Sequence, residues 1–283
     1  TPKELLLFMP FIGGGGVEKN LFIIANYLSK KIKKIKVCTL SKNQRKKFDK
    51  NINFLVPKST ISSKTNIRIQ YIISLFLLFK YLKKNKNVVV LSFQANIYCI
   101  LICKILNIKV IIRSNSSPSG WYHNFIKKII YKKIVSFADQ ILVNSLEFKK
   151  EMDQNFNVKT TCIFNPLNKK EIIKKSKKKY INNIFYKKKN TLKLINIGRF
   201  TDQKDQITLL RAAKILKQKI DFELIIIGRG IEKNRLNKFI LDNKLSKNVK
   251  ILNFIENPFP LIKQSDIFLL SSKYEGLPNV LVE

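Results

Sequence analysis

The chain ends on the stretch YEGLPNVLVE, which places two carboxylates on either side of a turn and a short apolar run. Pro278 suits the first position of a helix and Gly276 suits the strained turn before it, so the backbone amides from Gly276 to Asn279 are expected to form an anion site. Two carboxylates would repel a phosphate, but they accept hydrogen bonds from hydroxyl groups. The pattern therefore indicates a polyol bound beside a charged group, with Glu275 facing a hexose and Glu283 facing a ribose. Two solvated surface acids are the alternative interpretation.

A second stretch, IGRFTDQKDQ, carries two cations in one loop. Arg199 follows a buried apolar run and Lys204 precedes a helical pattern, so both side chains can converge on one anion at the end of a strand. Arginine offers a fork for phosphate oxygens, and lysine offers a point charge. A solvated basic loop is the alternative in so lysine-rich a sequence.

Two glycine-containing loops also follow apolar runs. The stretch IGGGGVEKN has four glycines that let backbone amides approach a ligand closely at the start of a helix. It is not a Walker loop, because no Gly-Lys-Ser/Thr follows, and its spacing does not fit a dinucleotide fingerprint. A plain strand-to-helix turn is the alternative interpretation. In IIIGRGIEKN, Gly228 and Gly230 begin a similar motif, but Lys233 replaces its third glycine. A tight turn is one interpretation of this second loop, and backbone lying close to a nucleotide base is the other.

Apolar runs alternate with amphipathic stretches along the whole sequence, a pattern that predicts parallel sheets covered by helices on both faces. The alternation breaks at a lysine-rich stretch and then restarts. We therefore predict an α/β protein with an N-terminal Rossmann-like domain over residues 1–167, a linker over 168–190 and a second Rossmann-like domain over 191–283. Both domains are expected to be doubly wound, and each chemical motif follows a strand, where such sheets bind ligands.

The net charge of +37 and the pI near 10.1 raise the question of a nucleic-acid partner. Lysine is spread over nearly every segment together with isoleucine and asparagine, as an AT-rich coding sequence would produce. No nucleic-acid-binding motif is present, so attraction to an anionic membrane surface is the favoured partner interpretation. The apolar runs are too short or too lysine-rich to span a bilayer. The four cysteines are too few and too irregularly spaced for a disulfide framework, and Cys99 and Cys103, at helical spacing, suggest buried thiols. The expected location is the cytoplasm, with peripheral contact at the inner face of the cell membrane.

The spacing of Glu275 and Glu283 around YEGLPN, after DIFLLSS and downstream of GRFTDQKD, resembles the retaining glycosyltransferases of family 4, which have the two-Rossmann GT-B fold. The stretch GGGGVEKNLFIIANYL is similar to the N-terminal glycine loop and first helix of that family. The resemblance covers nearly the whole sequence and is strongest from Ile197 onwards. Family members continue past the second glutamate, so we expect that the second domain is incomplete and that the sequence is truncated at its C-terminus.

The resemblance implies a donor site for a UDP- or GDP-sugar. Arg199 and Lys204 would bind the diphosphate and stabilise the leaving group, Glu275 would hold the transferring sugar, and Glu283 would bind the ribose. The family often uses an N-terminal-domain histidine near the sugar, and His123 is the sole candidate. The remaining implied donor-binding residues are Gly15, Gly16, Gly228, Gly276, Leu277, Pro278 and Asn279.

The implied activity is transfer of a hexose or N-acetylhexosamine, with retention, to a lipid-linked or cell-envelope glycan such as a capsule or lipopolysaccharide. No cofactor and no metal ion are expected, because the two cations supply the charge that a metal would otherwise provide. A catalytically inactive scaffold and a basic nucleic-acid-binding protein are the competing hypotheses.

Overall fold

The computed structural model describes residues 3–57, 65–115, 124–178, 185 and 191–283. The protein divides into two compact units. The first comprises Thr1–Leu167 together with Gly276–Asn279, and the second comprises Asn168–Glu275 together with Val280–Glu283. The short segment Gly276–Asn279 therefore belongs to the first unit, although the residues on both sides of it belong to the second.

Seven parallel strands form the sheet of the first unit, in the order β3-β2-β1-β4-β5-β6-β7. Short apolar runs rich in Val, Ile and Leu supply them, as expected for strands covered on both faces. The strands are β1 (Glu4–Phe8), β2 (Ile35–Cys38), β3 (Ile52–Leu55), β4 (Val88–Ser92), β5 (Lys109–Ser114), β6 (Gln140–Val143) and β7 (Thr160–Cys162).

Helices cover both faces of this sheet. One face packs against α1 through Leu21 and Ala25. The other face packs against four helices, which bury residues such as Leu78, Ile100 and Met152. The helices are α1 (Gly16–Leu28), α2 (Ile67–Lys84), α3 (Asn96–Ile105), α4 (Phe125–Val135) and α5 (Leu146–Phe156).

The second unit has four parallel strands in the order β10-β9-β8-β11. Its central strand β9 is buried at every residue, and Leu210 and Leu236 pack one of the helical layers against it. The strands are β8 (Leu192–Ile197), β9 (Phe222–Ile227), β10 (Val249–Leu252) and β11 (Ile267–Phe268), and the helices are α6 (Lys169–Ser176), α7 (Gln206–Leu216), α8 (Lys233–Asp242) and α9 (Phe259–Gln264). A last helix, α10, spans Asn279–Val282.

Three elements bear on the sequence interpretation. Helix α1 begins at Gly16, directly after the glycine loop. Strand β11 has only two residues. Beyond them its pairing with β8 continues through one more backbone hydrogen bond, which Leu269 N donates to Ile195 O at 2.8 Å. Helix α6 lies inside the lysine-rich stretch interpreted as a linker and packs against α9.

Two further findings bear on the environment of the protein. Cys38, Cys99 and Cys103 are buried and Cys162 is half-buried, and all four are free thiols. Burial raises the pKa of the Cys38 thiol well above its usual range, which makes it unreactive. Across the described ranges, every helix is too short or too polar to cross a bilayer.

Candidate active site

Two loops of the second unit leave neighbouring strands at their carboxyl ends. The β8 loop is Gly198–Asp205, and the β11 loop is Leu269–Glu275. In the order β10-β9-β8-β11, strand β8 has β9, the next strand in the sequence, on one side and β11, the last strand, on the other. Open parallel sheets bind ligands at such a reversal of strand order. The β8 and β11 loops therefore lie where the topology predicts a ligand site.

The structure brings Lys204 of the β8 loop into contact with Glu275 of the β11 loop. The Lys204 ammonium donates a hydrogen bond to the Glu275 carboxylate, and the two side chains are only 16% and 19% exposed. Two further hydrogen bonds join these loops: Ser271 Oγ donates to Lys204 O at 3.0 Å, and Lys273 N donates to Gln203 O at 2.9 Å. A predicted phosphate ligand and a predicted sugar ligand thus meet across the reversal point.

Arg199, the other predicted phosphate ligand, has an exposed side chain on a fixed backbone. Its carbonyl accepts a hydrogen bond from Gln206 Nε2 at 3.1 Å, and Gln206 is buried. The next residue, Phe200, is fully buried, and its N–H donates to Arg229 O at 2.9 Å. The Arg199 side chain is therefore exposed to solvent, whereas the loop that carries it is fixed by the contacts of Gln206 and Phe200. Gln206 was not identified from the sequence, where it looks like an ordinary first-turn residue of a helix.

Gly228 lies where two loops approach too closely for a side chain. A Cβ atom there would lie 1.9 Å from Gly198 O and 2.7 Å from a ring carbon of Phe200. Gly230 is similarly constrained, since its Cβ would lie 2.2 Å from Phe200 O. Close packing against the β8 loop alone accounts for both glycines, and a contact of Gly228 with the donor stays a prediction.

In the first unit, the glycine loop after β1 is closed by a residue of its own helix. The Glu18 carboxylate is buried and accepts backbone hydrogen bonds from Gly13 N (3.3 Å) and Gly15 N (2.9 Å). Gly15 is the N-cap of α1, so the contact is half of a capping box. The spacing of Gly15 and Glu18 is the sequence signal that could have revealed it. The expected approach of a ligand to Gly15 and Gly16 is untested, but the Gly15 amide already has an acceptor.

The segment Gly276–Asn279 is held within the first unit by asparagine side chains. Asn279 Nδ2 donates to Gly16 O at 2.7 Å and to Asn20 Oδ1 at 3.2 Å. Asn165 Nδ2 donates to Leu277 O at 2.7 Å, and Asn20 Nδ2 donates to Asn165 Oδ1 at 2.9 Å. These contacts fix the backbone of the predicted anion-binding turn.

A buried arginine supports this asparagine cluster. Arg113 at the end of β5 is 2% exposed, and its guanidinium donates to Asn165 Oδ1 at 2.9 Å and to Ile163 O at 3.1 Å. Burial lowers the pKa of Arg113, because desolvation disfavours the charged guanidinium. No local pattern identifies Arg113, Asn165 or Asn20, because their partners are distant in the sequence.

Gly276 also requires the absence of a side chain. A Cβ there would lie 2.6 Å from Asn144 Oδ1 and 2.7 Å from a ring carbon of Phe148. The turn after it runs through Pro278, and helix α10 begins one residue later, at Asn279. The prediction of Pro278 as the first helical residue is thus shifted by one position.

For two further predicted residues, Glu283 and His123, the assigned roles stay predictions. Glu283 is half-buried in the second unit, one residue beyond α10, and its role at a ribose stays a prediction. His123 lies outside the described residues. Within the described part of the protein, no group of three or more His, Cys, Asp or Glu side chains could hold a metal ion.

The sequence is similar to a family model and to known glycosyltransferases. Residues 177–283 match the family model described as glycosyl transferases group 1. An uncharacterized glycosyltransferase of Methanocaldococcus jannaschii is 36% identical over 188 residues, which cover 62% of this chain and 46% of that protein. The Campylobacter jejuni N-acetylgalactosamine-N,N'-diacetylbacillosaminyl-diphospho-undecaprenol 4-alpha-N-acetylgalactosaminyltransferase is 26% identical over 99% of this chain and 78% of its own length. The sequence thus spans less than half of the first relative and more than three quarters of the second.

Solved structures share the architecture. The crystal structure of Anabaena HepE in complex with UDP and glucose aligns with a TM-score of 0.69 and 14% identity, over 95% of this chain and 74% of that one. TarM aligns with a TM-score of 0.68 and 12% identity, over 98% of this chain and 81% of that one. Identities this low establish the fold alone. The prediction of an α/β protein with two Rossmann-like units, as in the GT-B fold, is confirmed.

Proposed function

We propose that this protein transfers a hexose or N-acetylhexosamine from a UDP- or GDP-sugar to a lipid-linked or cell-envelope glycan, with retention and without a metal ion. The observation that carries the proposal is the Lys204–Glu275 contact at the reversal point of the second sheet, with Arg199 exposed on the same loop. The relatives add support, since the Campylobacter protein is named for transfer to a diphospho-undecaprenol substrate and HepE was solved with UDP and glucose.

The chemistry of the three residues suits a diphosphate donor. The diphosphate would accept hydrogen bonds from Arg199 and draw Lys204 away from Glu275. Glu275 would then be free to accept hydrogen bonds from hydroxyl groups of the transferring sugar. As the bond to the leaving diphosphate breaks, negative charge grows on its oxygens, and the two cations stabilise it. In the absence of donor, the salt bridge keeps both charges of the half-buried site neutralised.

The experiment is a titration of the full-length protein with UDP and GDP by calorimetry, followed by hydrolysis and transfer assays with a panel of UDP- and GDP-sugars. A charge-assisted hydrogen bond contributes about 1.5–3 kcal/mol, so Lys204→Met should weaken nucleotide binding by roughly 10- to 100-fold. Lys273→Met is the matched control, because Lys273 lies in the β11 loop, pairs with Asp202 and is 45% exposed. That control should bind nucleotide like the parent protein.

Glu275→Gln should retain nucleotide binding and lose most of the transfer rate, since the amide keeps the shape of the side chain and removes its charge. The anomeric configuration of the product, read by NMR, tests retention. If Lys204→Met and Glu275→Gln both kept parental rates, the assignment of the site would be wrong.

The net charge of +37 supports a second candidate, a nucleic-acid-binding protein without catalytic activity. It would bind DNA or RNA with affinity that falls steeply as salt rises, and it would not bind UDP or GDP. An inactive scaffold would bind neither nucleotide nor nucleic acid. Calorimetry with nucleotides and with a nucleic-acid duplex therefore separates all three candidates. Under the leading proposal the protein acts in the cytoplasm, in peripheral contact with the anionic inner face of the cell membrane.

A further inference from the structure

Helix α4 of the first unit exposes apolar side chains in numbers unusual for a surface helix. Phe125 is 73% exposed, Ile126 68%, Ile129 52% and Ile130 48%. At 3.6 residues per turn these four positions share one side of the helix, whereas Val135 on the opposite side is fully buried. The helix therefore packs on the sheet with one side and presents an apolar stripe to the outside with the other.

Helix α2, on the same face of the sheet, has the same character. Ile69, Ile72 and Phe76, at intervals of three and four residues, are 49%, 66% and 65% exposed. Leu78 and Leu82, on the opposite side, are fully buried. Helix α3 packs against both α2 and α4 and exposes Tyr98 and Ile105. Three adjacent helices on one face of the sheet thus share an exposed apolar surface, which we call the α2–α4 face.

The charge on this face has one sign. Between Asp49 and Asp139 the sequence contains no aspartate and no glutamate, so α2, α3 and α4 carry no carboxylate. The basic residues on the three helices are Arg68, Lys80, Lys83, Lys84, Lys104, Lys127, Lys128, Lys132 and Lys133. Such a combination of exposed Phe and Ile with flanking lysines is typical of helices that lie in the plane of a membrane interface. Long lysine side chains can reach the headgroups while the apolar side chains enter the acyl boundary.

We propose that the α2–α4 face docks on an anionic lipid bilayer, with α4 inserting its apolar stripe between the headgroups. The α2–α4 face would thus be the surface that contacts the membrane. The proposal rests on the proposed function in one respect, because a lipid-linked acceptor would be bound at the membrane. Charge complementarity between the basic α2–α4 face and anionic lipids favours the bilayer as the partner. A second copy of the protein would bring an equally positive face that repels the first, whereas anionic headgroups attract both.

Vesicle sedimentation of the full-length protein tests the proposal, with vesicles of phosphatidylcholine alone and of phosphatidylcholine mixed with phosphatidylglycerol. The parent protein should bind the anionic vesicles and bind the neutral ones far more weakly. The triple variant Phe125→Ser, Ile126→Ser, Ile130→Ser should reduce the partition coefficient at least about tenfold, because every apolar group that enters the bilayer adds to the free energy of insertion. Lys132→Gln with Lys133→Gln should reduce it by roughly tenfold or more.

The matched control removes equally exposed apolar side chains from the second unit. Ile215, Ile231 and Leu241 are 61%, 88% and 68% exposed, and their triple replacement by serine should leave vesicle binding unchanged. Failure of the parent protein to bind anionic vesicles would overturn the proposal, as would equal losses in the α4 triple variant and the control. Concentration-dependent dimerisation abolished by the α4 variant, without vesicle binding, would assign the face to a second copy instead.

Hydrolysis of a water-soluble nucleotide sugar, measured without vesicles, separates this inference from the proposed function. The α4 triple variant should hydrolyse the donor at the parental rate, which also shows that it is folded. If the parent protein binds vesicles but neither binds nor cleaves any donor, the docking surface is supported and the enzymatic proposal is refuted. Donor cleavage without vesicle binding would have the reverse meaning.

Discussion

Replacing Gly228 by alanine tests how tightly the candidate donor site is built into the second unit. The added methyl carbon would lie 1.9 Å from Gly198 O and 2.7 Å from Phe200. Neither neighbour can move easily. The Gly198 carbonyl belongs to the backbone of the β8 loop, where Gly198 N donates a hydrogen bond to Ile227 O at 3.0 Å. Phe200 is fully buried. To restore ordinary contact, the two loops must separate by more than about 1 Å.

The expected cost follows from that displacement. Overpacking of a tight site typically costs about 1–3 kcal/mol, and a clash with backbone belongs at the upper end of that range. A loss of about 3 kcal/mol should lower the midpoint of thermal unfolding of the second unit by roughly 10–15 °C. Because the displaced loop carries Arg199 and Lys204, the affinity for UDP or GDP should fall as well.

Gly198→Ala is a matched control in the partner loop. A methyl carbon there meets Gln206 Nε2 at 3.4 Å and Lys204 Cδ at 3.6 Å, both ordinary contacts with side chains. Its midpoint should shift by less than about 3 °C. Calorimetric scans of the parent and both variants provide the measurement. Equal midpoints for Gly228→Ala and Gly198→Ala would refute the reasoning, since they would show that the close approach of the two loops costs nothing to relieve.

Three further predictions concern the first unit. Asn165→Ala should cost about 2–3 kcal/mol in the free energy of unfolding, because it leaves the buried Arg113 guanidinium without one of its acceptors; a thermal midpoint equal to that of the parent would contradict this. Burial alone would raise the pKa of Asp153, but hydrogen bonds from Lys149 and Thr160 lower it below its usual value. Asp153→Asn should therefore destabilise the protein near neutral pH, and the difference should vanish as the pH falls below about 3.9 and through the folded pKa; thermal scans across pH check it, and a constant difference would count against it. Gly14→Ala should cost about 1–2 kcal/mol, because Gly14 has a φ of +95°, although no atom of the described residues lies within 4 Å of the added methyl carbon; urea unfolding measures it, and an unchanged midpoint would be the opposing result.

The alternation of apolar runs and amphipathic stretches was sufficient to predict the two parallel α/β units. Strand β9 is the clearest case, because its run FELIII, apolar at every position except Glu223, is buried on both faces. Residues that follow such strands, including Arg199 and Lys204, could be placed at the carboxyl edge of a sheet from the sequence alone. Strand β11 could not be delimited, since its apolar run continues through Leu269 and Leu270, beyond the two residues that pair with β8.

The contacts that assemble the site escaped prediction because they join distant positions. Lys204 and Glu275 are 71 residues apart, and Asn20 and Asn279 are 259 apart. A side-chain amide can donate to many acceptors, so the identity of Asn20 or Asn165 carries no information about its partner. Helix α6 was also missed, because its surface is dominated by lysines and its packing partner α9 lies far along the sequence.

The Glu18 carboxylate at the glycine loop determines which ligand groups can approach that loop. A phosphate would have to compete with an acceptor that is covalently attached to the same helix and therefore present at high effective concentration. A hydroxyl group meets no such competition, since it can donate a hydrogen bond to Glu18 itself. At Gly13 and Gly15 the loop is therefore expected to favour a ligand hydroxyl over an anion. In a protein with 55 basic residues, one buried carboxylate gives this loop a chemical preference opposite to that of the molecule as a whole.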